Sequence, residues 1–341
     1  MEITVRQSNQ LKSIGILMML CLHLFNKNYK GLFEPLLFVG KQPLSYYLSL
    51  FCDACVPVFA FVSGYGLYFK YQQNKTVYAK DNFVRLKKLY LNYWIILIIF
   101  PVIIGLILKS EGYPGYWEKF FLNFLGINPS YNGAWWFFTV YVLFVLTSGF
   151  WFSILEKLNM IIFLIALVGL YILGFYFRIY KTNLFTNPVL NWFQKYGALY
   201  FCTLFQLMLG AFALKYKWNS FISKYFQKVK YKNLVICIMI VILVIFHAFV
   251  PNFIIAPFTA LAFILLYCQF NLPENVQKGI DFFTPHSTNI WLTHMFFYMI
   301  FFPEFIYSFK YPIVIFSILV LICVLCSYVI NFINQKVQKL I

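Results

Sequence analysis

At 341 residues, 62% of them hydrophobic and only 11% charged, the chain is too apolar for a soluble domain, which carries roughly twice that charged fraction. Its net charge of +17 would suit a nucleic-acid partner, but the basic residues sit mostly in loops between apolar runs, where they act as insertion signals. No soluble basic module remains to carry such a partner. Apolar runs long enough to cross a bilayer recur from end to end, so the expected fold is all-α and polytopic.

In chain order the expected spans lie near 8–26, 45–69, 88–109, 134–153, 159–178, 196–215, 234–250, 252–270, 286–303 and 311–333. That makes about ten transmembrane helices in one domain covering 1–341, with no fused soluble domain and no internal repeat. With ten spans, one side collects 18 of the 27 basic residues and the other 9. The excess of Lys and Arg then puts the N-terminus and the C-terminus in the cytoplasm. No small-residue cleavage site follows the first apolar run, which is expected to be a retained helix.

The first span contains KSIGILMMLCLH (12–23), with Lys12 at its start and His23 deep inside. Eleven residues make three turns plus about 20°, so both project from one face, roughly 16 Å apart. A lysine at a helix end can snorkel, whereas an ionisable ring within a span usually lines a polar cavity. The second span carries Asp53, which would either orient a histidine or pair with a structural cation. It also carries Ser63-Gly64-Tyr65-Gly66, where the glycines permit close approach of a ligand or of another helix. Arg85, Lys87 and Lys88 open the third span, either as orientation signals or as an anion-binding set.

Trp135 and Trp136 open the fourth span, as an interfacial belt or as a platform for a sugar ring. His294 lies midway along the ninth, on the same face as Ser287. It either lines the same cavity as His23 or is a buried structural histidine, whereas His286 and His247 lie near helix ends and are read as ordinary. Cys52/Cys55 and Cys323/Cys326 have CxxC spacing but lack nearby His or Cys partners in a polar setting. They are read as small packing residues, and no metal site is expected.

At this point a resemblance enters. Lys12-x10-His23 resembles the first motif of acyltransferase family 3, in which a basic residue, usually Arg, precedes a His at this spacing. CVPVFAFVSGYGLYF (55–69) is similar to the family's apolar run ending in Ser-Gly-Phe/Tyr. FVRLKKLYLNYW (83–94) resembles its basic helix start, with Lys88 in place of a second arginine. AWWFFTVYVLF (134–144) and STNIWLTHMFFY (287–298) follow in the family's order, the latter with Trp291 where Tyr is commoner. Lysine at 12 and 88 keeps the charge but loses the planar fork that clamps phosphate.

The resemblance implies an integral-membrane O-acetyltransferase in a bacterial plasma membrane. Its donor would be acetyl-CoA, a co-substrate and not a bound cofactor. Its acceptor would be a hydroxyl of a cell-surface polysaccharide or of a lipid-linked saccharide. His23 would be the catalytic base or would form an acyl-histidine. Lys12, Arg85, Lys88, Ser63 and Gly64 would hold the donor, and Asp53, Trp136 and His294 would line the cavity or hold the acceptor. Two alternatives stay open: the same chemistry on peptidoglycan, a lipid or a small molecule, and a transporter or flippase with His and Asp as a proton relay. The latter would usually show matching broken halves, and none is visible. The oligomeric state is left open.

Overall fold

The computed structural model describes residues 2–340. Among them the fold is helical except for a hairpin of two short antiparallel strands, β1 (Phe38–Val39) and β2 (Gln42–Pro43). The helices, in chain order, are α1 (Val5–Phe25), α2 (Leu44–Gln73), α3 (Tyr78–Ile107), α4 (Trp117–Phe124), α5 (Gly133–Lys157), α6 (Met160–Ile179), α7 (Pro188–Lys215) and α8 (Trp218–Phe226). They continue with α9 (Lys232–Phe249), α10 (Phe253–Tyr267) and α11 (Glu274–Asp281). Next comes α12, in which a helix over Ser287–Met295 widens to a π-helical stretch at Phe296–Phe301. α13 (Pro303–Tyr307) and α14 (Pro312–Leu340) complete the chain.

Seven of these, α2, α3, α5, α6, α7, α9 and α14, are long and apolar enough to cross a membrane. The other three expected crossings are helical but fall short for physical reasons. α1 is diluted by polar residues along its first two turns. α10 is short, and α12 changes pitch at Phe296.

The centre of the bundle is the crossing of α2 with α7. A Cβ built on Gly64 would lie 1.7 Å from the Leu207 carbonyl oxygen, and one on Gly210 would lie 2.0 Å from that of Phe61. Each helix thus needs a glycine where the other's backbone passes, the small-residue device of membrane-helix packing. The apolar stretch of α7 is 78% buried, whereas that of α9 is 11% buried and stands at the periphery. Gly64→Val is expected to destabilise the fold by about 3 kcal/mol or more, because neither backbone can yield without breaking its own helix. A thermal-unfolding midpoint in detergent that matches wild type would contradict this.

α1 packs against α2, α11, α12 and α14. Thr4 caps its start in a reciprocal box with Gln7, and Arg6 reaches Glu274 at 2.9 Å and Asp281 at 2.8 Å on α11. Nearby, buried amides tie α3, α12 and α14 together. Asn92 donates to Asn289 at 2.7 Å, Asn289 donates to Ser327 and Asn331 at 2.9 and 2.8 Å, and Asn334 donates to Asn92 at 3.2 Å. Such a chain satisfies polar groups that hydrocarbon would otherwise penalise, and it fixes α12 relative to α3 and α14.

Candidate active site

α1 and α12 bring their histidines into direct contact. His23 Nδ1 lies 2.7 Å from His294 Nε2, and the two rings are inclined by only 8° with centroids 5.0 Å apart. That separation is what an in-plane N–H···N bond between two imidazoles gives. His294 is fully buried, and its Nδ1 lies 2.8 Å from the Trp291 carbonyl and 3.1 Å from that of Ile290.

Those contacts assign the protons. A carbonyl oxygen only accepts, so His294 Nδ1 carries a hydrogen. In the neutral ring Nε2 is then the acceptor, and His23 Nδ1–H donates to it. The one lone pair left over is on His23 Nε2. The helix carbonyls of α12 therefore dictate, through one intervening ring, that His23 presents a basic nitrogen to whatever lies beyond it.

Two cavities run along α1 from its start. The outer one, open and about 520 Å³, is lined by Ser8, Asn9, Lys12, Ser63, Gly66, Lys70, Arg85 and Tyr141 among others. The inner one, about 150 Å³, shares Lys12, Ser63 and Tyr141 and reaches Met19, Phe137, Ser287 and Trp291. Lys12, Met19 and His23 fall within about 20° of one line down the helix, so the cavity wall and the histidine share a stripe.

Arg85 donates to Asn82 at 3.4 Å and lines the cavity beside Tyr141, and it is close enough to Lys12 for the two charges to repel. No ion pair among the described residues takes up either cation. One carboxylate, Glu2, lines the same cavity and accepts from Ser220 at 2.6 Å. Two cations facing a cavity, neither engaged in an ion pair, make a setting suited to an anionic ligand.

The expected site residues divide. Lys12, Arg85 and Ser63 meet at the shared cavity, and His23 meets His294. Gly64 does not face the cavity, because its missing Cβ makes room for the α7 backbone; the open glycine is Gly66. Lys88 is exposed and lines neither cavity, although it lies only about 60° around α3 from Arg85. Asp53 bonds neither histidine: His23 Nδ1 is committed to His294, and the opposite charge acting on Asp53 is Arg178 of α6. Trp136 stacks under Arg178, 5.2 Å from its ring centre, away from the cavity. The tryptophan that lines the inner cavity is Trp291, held by a 3.0 Å bond to the Ala134 carbonyl.

Three neighbours of the histidine pair were not anticipated. The Tyr298 ring lies 6.3 Å from His23 and 5.9 Å from His294. Lys27 Nζ sits 4.9 Å from the Tyr298 ring centre and donates to the Tyr307 hydroxyl at 3.1 Å. Partial burial lowers the Lys27 ammonium from its ordinary value. A spacing signal was available, since Lys27 and Tyr298 each lie four residues past a histidine and hence on its face.

A family model described as an acyltransferase domain, that of acyltransferase family 3, matches residues 5–332. The curated proteins and the solved structures yielded no match. The matched region runs from the first residue of α1 into the last helix, α14, and includes both histidines and every cationic residue of the cavity. The chain belongs to acyltransferase family 3 and is an acyltransferase.

Proposed function

We propose that this acyltransferase moves an acetyl group from cytoplasmic acetyl-CoA to a hydroxyl of a cell-surface polysaccharide or of its lipid-linked precursor. It would do so across a bacterial plasma membrane, spanned ten times with both termini inside. α1, α10 and α12 would supply the three crossings beyond the seven apolar helices. The excess of basic residues on the side where α1 begins supports that orientation.

The observation that carries the reading is the layout along α1. A cavity lined by cations that no ion pair engages stands at one end of a helix stripe, and a histidine with one free lone pair stands at the other. A donor with phosphates and thioester at opposite ends of a long arm matches that layout. In the reaction His23 Nε2 takes the proton of the acceptor hydroxyl as its oxygen attacks the thioester carbonyl. The carbon–sulfur bond breaks, and the leaving thiolate recovers the proton from His23. As His23 becomes charged, its Nδ1–H bond to His294 strengthens, which stabilises the transition state where charge develops.

Lys12→Ala and Arg85→Ala test the donor end. Each is expected to raise the apparent KM for acetyl-CoA about tenfold with kcat little changed, the loss of one charge-assisted contact. Lys12→Arg should keep the affinity. Thiol release by purified protein in detergent measures this, and unaltered KM in both alanine variants would remove the donor from this cavity.

A further inference from the structure

Just past His23 the chain builds a second polar cavity, open and about 830 Å³, on the side opposite the donor. Three of its eight lining residues are lysines: Lys27 just past the end of α1, Lys30 in the following loop, and Lys41 at the tip of the β1–β2 hairpin. Gly40 holds that tip with φ +61°, the conformation a tight hairpin turn asks of glycine, and so delivers Lys41 to the rim. The rest of the lining is amide and phenol, including Gln42, Tyr29 and Tyr46, with no carboxylate and no aliphatic side chain. The acid nearest in sequence, Glu34, is engaged by Lys310 at 3.7 Å. No ion pair holds Lys27, Lys30 or Lys41 among the described residues.

Lys27 ties this cavity to the histidines. It lies four residues beyond His23, roughly 6 Å along the axis. The ring that carries its charge, Tyr298, is the ring that flanks both imidazoles.

Building on the acyl-transfer reading above, we propose that this cavity is the acceptor site and that it selects an anionic acceptor. The acceptor would be a sugar or polyol chain with a carboxylate or phosphodiester within a unit or two of the hydroxyl that is acylated. Lysines act as point charges and serve either anion. The amides suit hydroxyl groups, and tyrosine faces suit sugar rings. The absence of aliphatic lining favours a water-borne chain over a phospholipid headgroup with its tails. A basic cluster here also runs against the insertion bias that keeps lysine off this side, so insertion does not account for it.

The test uses purified full-length protein in phosphatidylcholine nanodiscs, with three probes of matched length: an oligogalacturonate, an oligo(glycerol phosphate) and a malto-oligosaccharide. Equilibrium binding should favour both acidic probes over the neutral one by about tenfold, with the gap narrowing as salt rises from about 0.05 to about 0.5 M. The gap should vanish in Lys30→Gln/Lys41→Gln and survive in Lys30→Arg/Lys41→Arg and in Lys195→Gln, a lysine remote from the cavity. Lys30 and Lys41 are exposed, so these variants fold.

Equal binding of neutral and acidic probes overturns the proposal, as does acidic binding that ignores the Lys30→Gln/Lys41→Gln change. Loss of acidic-probe binding when phosphatidylglycerol is added to the nanodiscs assigns the site to lipid and overturns it too. Acetyl transfer to neutral and acidic probes alike sinks the charge selection and leaves the transferase reading standing. Lysine-dependent binding of acidic probes without any acetyl-CoA turnover supports the site and sinks the acetyl-CoA donor instead.

Discussion

His23→Ala is expected to insert, bind acetyl-CoA with wild-type affinity and transfer acetyl about 10³-fold more slowly, the usual scale for losing a positioned general base. The reason is geometric. Among the described residues, His23 Nε2 is the one imidazole nitrogen of the pair left without a proton or partner, and no carboxylate hydrogen-bonds either ring. Nothing nearby can replace it, because His294 Nε2 would still face a gap and Tyr298 offers a phenol, a far weaker base. Acetyl transfer by protein in nanodiscs measures the effect, alongside acetylation of cell-surface material in whole cells. A stably inserted His23→Ala protein with unchanged transfer would end the assignment of His23 as base.

The second large effect concerns His294. His294→Ala should lower kcat about 10²-fold and leave KM for acetyl-CoA unchanged, as expected of a group that acts only as the transition state forms. Without the acceptor at Nε2, the His23 Nδ1–H loses its partner and the ring is free to exchange tautomers and turn. His294→Gln should recover part of the loss, because an amide oxygen can accept the same N–H. A space-filling but non-accepting His294→Phe should not. Equal rates in the glutamine and phenylalanine variants would reduce His294 to a packing residue and leave the tautomer argument without support.

Some of this was legible along the chain because it is local. Lys12 and His23 lie on one helix, where a rise and a turn per residue are set by the backbone, so their shared face follows from the spacing alone. The seven long apolar helices follow in the same way from composition. The three other expected crossings do not stand out in this way, since a helix lined with polar groups loses the apolar character that marks a span. α1 and α12 are two of those three, and they carry the site.

Two long-range pairings held, His294 with His23 and Arg85 with Lys12, whereas three others did not. Gly64 reads equally as a ligand glycine or a packing glycine, and only the passage of Leu207 behind it decides for packing. Asp53 reads as a natural orienter for histidine, yet α6 brings Arg178 to it and α12 brings His294 to His23. Lys88 looked like the companion of Arg85, but it lies on the exposed side of α3.

By itself, then, the sequence determined a membrane-spanning helical chain, a cation and a histidine on one stripe of α1, and the family to which those residues point. The tertiary structure alone decided that His23 and His294 share a proton, which lone pair is left free, and that three lysines gather beyond it. The physical reason is range: helix periodicity is written in neighbouring residues, whereas the 271 positions separating His23 from His294 are bridged only when helix packing brings α1 and α12 together.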